Sequence, residues 1–229
     1  MINVSAASMG KWLALFFIFL LVFHSAQLYC GFSENCMVRA GVSRLFNFDK
    51  ERNVPTYYST ILLFTCCPLL YLHGVLSDVE QKTRASWMTL ALIFLFLSMD
   101  ESIGIHERIS KLIGENLVVS GYLYFAWVIP YGILVVAFLL YFFNFLKKLP
   151  TQTFYLFIGS GLLYVSGAIG MEMLGANEAS TNSLKTIEYA IYMTIEESLE
   201  ISGISLFIFA LVRHLEIQHP SLRFHSTHS

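Results

Sequence analysis

Charge is what this sequence has least of. Charged residues make up 13% of its 229 positions, while 56% are hydrophobic. Soluble domains carry about 25% charged residues, so the balance excludes an ordinary soluble enzyme. Several motifs are also missing. The sequence has no glycine-rich phosphate loop and no nucleophile elbow or Ser-His-Asp order, although Ser98 and Ser102 flank acidic residues. It has no basic run and no zinc-finger spacing, so no nucleic acid is expected as a partner. No internal repeat relates its two halves, which weighs against an inverted-repeat transporter.

What is present predicts an all-α, polytopic membrane helix bundle of about six transmembrane helices in a single domain. Six apolar stretches reach the roughly 20 residues a span needs: 12–29, 57–76, 87–109, 121–146, 154–174 and 187–212. Trp12, Tyr57, Tyr58, Trp87 and Tyr122 stand at their ends, as interfacial aromatics do. The first stretch also fits a signal peptide cut near Ser25-Ala26, but it stays apolar to Tyr29, which favours an uncleaved helix. Pro130 predicts a kink in the fourth stretch.

Lys82, Arg84, Lys147, Lys148 and Arg213 share a side with Lys11, and their compact loops favour both termini being cytoplasmic. Arg39, Arg44, Lys50 and Arg52 lie opposite, in the one sizeable loop, from Cys30 to Pro55. Short loops suit a bacterial inner membrane. Cys30 and Cys36 would face the oxidising side, where a disulfide is allowed, but spacing does not separate a bridge from two thiols. Cys66 and Cys67, beside Pro68, read as apolar filling.

Of the 16 acidic residues, half sit within or against apolar stretches: Asp100, Glu101 and Glu107 on the third, Glu172 on the fifth, Glu188, Glu196, Glu197 and Glu200 on the sixth. Carboxylates in hydrocarbon are costly and mark functional sites. The third and fifth stretches run outward with their acids late; the sixth runs inward with its acids early. All therefore fall in one half of the membrane, whichever way the bundle faces. Asp100 and Glu196 should lie roughly 13 Å from their helix ends and Glu200 roughly 20 Å.

Helical phase puts Asp100, Gly104 and Glu107 on one stripe, Glu101 with Arg108 on another, and His106 elsewhere. On the sixth stretch Tyr189, Tyr192, Glu196, Glu200 and Gly203 share a face with Glu197 on its flank, and Tyr192 is placed to donate to a carboxylate. Gly159, Gly161, Gly167 and Gly170 offer close-packing surfaces. Glu188 reads as a first-turn residue. His24 and His73 read as packing residues, and His214, His219, His225 and His228 as a solvated tail.

Gathered carboxylates must be protonated, paired or neutralised by a cation. Asp100, His106, Glu107, Glu172, Glu196 and Glu200 are the expected ligands of a divalent metal ion, with Glu101 and Glu197 as proton acceptors. Oxygen donors suit Mg²⁺, Ca²⁺ or Mn²⁺, and an imidazole widens the choice to Fe or Zn. The expected function is a metal-dependent enzyme working on membrane lipids or another apolar substrate. A cation or proton-coupled carrier and a non-catalytic sensor or assembly subunit are the alternatives, and a homo-oligomer or membrane partner is left open.

D-E-x4-H-E and E-E-x2-E over facing helices resemble the di-iron carboxylate bundles, whose inward Glu residues and Glu-x-x-His pairs hold two metals. The resemblance covers only these segments. Glu197-x-x-Glu200 has Glu where that pattern has His, and Glu101 and His106 are five apart, which argues against oxygen activation.

Overall fold

A computed structural model describes residues 5–32, 44–76 and 81–219. Among them no strand occurs. The helices are α1 (Ala6–Phe32), α2 (Val54–Leu76), α3 (Gln81–Ile103), α4 (Ile105–Asn116), α5 (Val128–Leu146), α6 (Thr151–Val165), α7 (Glu172–Thr181) and α8 (Ile187–Gln218). A 3₁₀ turn at Gly121–Leu123 precedes α5, and a π-helical segment, Ser166–Met171, joins α6 to α7.

Five helical rods are long and apolar enough to cross a membrane: α1, α2, α3, α5 and the run from Thr151 to Thr181. The sixth expected span corresponds to α8, which is not among these five. Its 32 residues are ample for a span at 1.5 Å per residue, and it carries the third group of acids.

Lipid tails are as apolar as leucine, so close packing and interhelical hydrogen bonds hold such a bundle together rather than the hydrophobic effect. α8 is the axis, packed against α1, α2, α6, the π segment and α7. Polar side chains fasten it. His24 on α1 meets Thr194 Oγ1 at 2.9 Å, His73 on α2 bonds the Leu211 carbonyl at 3.1 Å, and Thr153 on α6 meets His214 Nδ1 at 2.9 Å. Two glycines set how closely α6 and the π segment approach. A Cβ on Gly203 would stand 2.7 Å from the Tyr164 nitrogen, and one on Gly167 would stand 2.7 Å from the Glu196 carbonyl oxygen. Cβ atoms on Gly161 and Gly170 would meet nothing, and one on Gly159 only ordinary contact, so the expected four-glycine surface reduces to Gly167.

Several boundaries depart from expectation. The third span ends at Ile103, because Gly104 takes φ +63° and restarts the chain as α4. α4 presents Ile105, Ile109, Leu112 and Ile113 on one side and charges on the other, the pattern of an interfacial helix. The fourth span begins at Val128, seven residues late, which moves Pro130 into the first turn. There its missing N–H leaves no intrahelical bond unmade, and no kink is required. Asp100 consequently lies within one turn of its helix end, not roughly 13 Å below it.

His214 is buried, its ring 5.0 Å from His73 and 5.8 Å from Trp87, rather than part of a solvated tail. His225 and His228 lie outside the described residues. Cys66 and Cys67 are free, their thiols on the Leu62 and Leu63 carbonyls. Cys30 is disulfide-bonded, and Cys36 lies outside the described residues.

α5 stands apart, with only slight contact to α3. Phe142 and Phe145 anchor one end in the aromatic core around Trp87, whose ring lies 4.9 Å from Phe145. A hydrogen bond from Tyr131 to Asp100 anchors the other. Between these two points a cavity opens.

Candidate functional site

The cavity encloses about 1190 Å³ between α3, α5, α6 and α8. Ligand pockets commonly run from about 300 to 1,000 Å³, so it admits something larger than a compact metabolite. Its two ends differ in chemistry. Toward the Trp87 core the walls are apolar, with Leu90, Phe94 and Leu97 facing Leu134, Phe138, Phe142, Phe157 and Ile158. At the other end lie all eight residues expected from the sequence: Asp100, Glu101, His106, Glu107, Glu172, Glu196, Glu197 and Glu200. Glu188, expected outside the site, is exposed in the first turn of α8.

Asp100 is the most committed of the acids. Its Oδ1 accepts the His106 backbone N–H at 2.8 Å and faces His106 Nδ1 at 3.0 Å, and its Oδ2 accepts the Tyr131 hydroxyl at 2.7 Å. The left-handed turn at Gly104 makes this possible, because it swings His106 back over the last turn of α3. Regular helical phase, which aims His106 elsewhere, does not survive that turn. Burial opposes the imidazolium form of His106, but the Asp100 contact outweighs it and holds the ring above its ordinary pKa.

Glu172 is placed by the π-helical segment, a local feature common at functional sites. It accepts the Trp127 indole N–H at 2.7 Å, and its carboxyl lies within hydrogen-bond reach of Glu196. Glu101, Glu197 and Glu200 differ from these. They are half-buried, face the cavity and have no hydrogen-bond partner among the described residues. Glu197 feels the charge of Glu101, and Glu200 that of both.

Sequence reasoning missed part of the lining. The segment before α2 folds over the acidic end, tied down by Asn53, which accepts the Thr56 N–H and caps α2. Phe48 stacks on His24 at 4.1 Å and donates its backbone N–H to His24 Nδ1. This brings Asp49 and Glu51 to the cavity, where Tyr189 donates to Asp49 at 3.1 Å. Burial, and next the Glu107 charge, raise the Glu51 pKa. Trp127 and Tyr131, the two strongest neutral donors to the acids, were also unforeseen. Tyr192, the expected donor, packs beside Gly175 instead, and Arg108 does not pair with Glu101. The lining thus carries nine carboxylates (Asp49, Glu51, Asp100, Glu101, Glu107, Glu172, Glu196, Glu197, Glu200) with Lys50, Lys111 and His106 as its basic groups.

Among the described residues, no three His, Cys, Asp or Glu side chains are gathered about one point as metal ligands. The donors are spread along the wall, so the ligand set expected from the sequence is not assembled in this conformation.

Fold and cavity together define an all-α bundle of membrane-spanning type that encloses an amphipathic chamber. A family described as "Domain of unknown function (DUF8692)" matches residues 12–215, and the chain belongs to that family. No curated protein and no solved structure matches it.

Proposed function

We propose that this protein is a membrane enzyme that holds a divalent metal ion on carboxylates of α3, α7 and α8 and acts on a lipid or other apolar substrate. One observation carries the reading: a single cavity is acidic at one end and apolar along the rest of its length. That is the form a site needs when its reacting group is polar and its substrate lives in hydrocarbon.

The donor chemistry fits the ion. Glu101, Glu197 and Glu200 are half-buried on the cavity wall without a hydrogen-bond donor, and carboxylates gathered there call for a counter-charge. Because the acids are dispersed, binding requires these side chains to turn toward one another from adjacent turns of α8 and the facing end of α3. When bound, the ion would polarise a substrate oxygen or activate a water. Asp100 orients His106 through Nδ1, as carboxylates orient ligating histidines, which leaves Nε2 for the ion or for a proton. Trp127 holds Glu172 in position, and Glu101 or Glu197 serves as proton acceptor. The disulfide at Cys30 supports the acidic end facing the oxidising side, with both termini cytoplasmic.

A carrier reading has one observation in its favour, the approach of the Glu172 and Glu196 carboxyls, which a shared proton would stabilise. The apolar core at the opposite end, around Trp87, Phe142 and Phe157, offers no continuation of an ion path. Elemental analysis of detergent-purified protein tests the choice. Stoichiometric Mn, Fe or Zn, lost in Glu200→Ala and Asp100→Ala, is the expected result. Metal-free protein that moves protons or cations in proteoliposomes would replace this reading with the carrier.

A further inference from the structure

The shape of the chamber's apolar arm restricts which apolar molecule fits it. This arm runs beside α3 from Thr89 to Asp100, roughly 16 Å of helix, and is closed at its far end by Phe142 and Phe157. Leu134 and Leu139 on α5 and Leu162 on α6 line it and are also exposed on the outer surface of the bundle. The arm therefore opens sideways, toward the hydrocarbon of the membrane. It is a slot with a side entrance on the apolar outer surface.

Charge at the head end restricts the occupant. Nine carboxylates face two lysines and one histidine there, and Lys50 is already held by Asp49 at 2.6 Å. A phosphate or carboxylate head would meet like charge, which disfavours it.

Resting on the reading of the acidic end given above, we infer that the substrate is a long single-chain amphiphile with a non-anionic head, an amine or a hydroxyl. It enters sideways from the bilayer and lays its chain along α3 with its head at the carboxylates.

Gly161 supplies the test. It lines the slot, and a Cβ there meets nothing within 4 Å, so Gly161→Phe starts its side chain from open space and obstructs the slot. Ala137→Phe on α5 blocks the other wall and guards against one variant failing to fold. The probes are hexadecylamine, hexadecanol and hexadecyl phosphate, each brominated at the chain terminus and titrated into detergent-purified protein with and without EDTA. Bromine quenches nearby indoles: Trp87 stands beside the closed end and Trp127 beside the head.

The amine and the alcohol should bind saturably and quench Trp87 more than Trp127, with the phosphate roughly tenfold or more weaker. Both blocking variants should lose this binding yet keep wild-type metal content. Equal binding of the phosphate, stronger quenching of Trp127, or undiminished binding by the blocked variants would overturn the inference. The two proposals fail separately. Chain binding by protein that never holds metal refutes the metal reading alone, and stoichiometric metal without chain binding refutes the slot alone.

Discussion

Asp100 and Glu197 both sit among acids, yet their substitution should move stability in opposite directions. Asp100 satisfies the His106 N–H, His106 Nδ1 and the Tyr131 hydroxyl at once. Asp100→Ala leaves those donors without an acceptor, and each stranded buried group costs about 1–3 kcal/mol. Glu197 has no donor to lose, and its neighbours Glu101 and Glu172 are acids. Glu197→Gln should therefore leave stability unchanged or raise it in metal-free protein. Thermal unfolding in detergent with EDTA reads both, and equal destabilisation by the two would contradict this division of the acids. The residue types were legible in the sequence, because carboxylates within apolar helices are conspicuous at any resolution. Their partners were not. His106 reaches Asp100 only because Gly104 leaves the helical region of backbone space, and Trp127 reaches Glu172 only because a π-helical segment turns Glu172 inward.

At the scale of elements, the close approach of α6 and α8 rests on positions without side chains. Gly203→Ala places a methyl 2.7 Å from the Tyr164 nitrogen and 2.9 Å from the Ser160 carbonyl oxygen, both backbone atoms that cannot step aside. A cost of about 1–3 kcal/mol is expected from such overpacking, read as a lowered Tm. Gly161→Ala, with open space around its Cβ, should be neutral or stabilising, since alanine is the better helix former by about 1 kcal/mol. Equal losses at the two sites would mean the helices do not meet as described. Hydropathy located the helices well because length and apolarity are properties of a whole segment. It did not find the break at Gly104, where apolar residues continue into α4, or the delayed start of α5, where Gly121 to Trp127 is apolar without being regular helix. Hydropathy reports burial in lipid, and backbone geometry is invisible to it.

For the whole molecule, the antiparallel course of the spans was enough to place the acids at one end, since that follows from direction alone. The chamber itself was not legible. It exists because α5 is pinned at Tyr131 and at Phe142 and Phe145 and makes only slight contact with α3, a property of how helices meet rather than of any one of them. Sidedness has its own test. If the acidic end faces the oxidising side, Cys30 in intact cells should react with a membrane-impermeant maleimide only after reduction, while a reporter fused at the C-terminus responds only inside. No labelling of Cys30 even after reduction, or a reporter active outside, would invert the arrangement.

The claim on which the rest depends is that the acidic end of the chamber gathers around a cation. The most direct measurement is anomalous diffraction from crystals of the intact protein grown with Mn²⁺. A single strong anomalous peak between the carboxyls of α3 and α8, bonded to Glu200 and absent from Glu200→Ala crystals, is the predicted result. Anomalous density confined to the protein surface, with the chamber acids still spread along their wall, would contradict it.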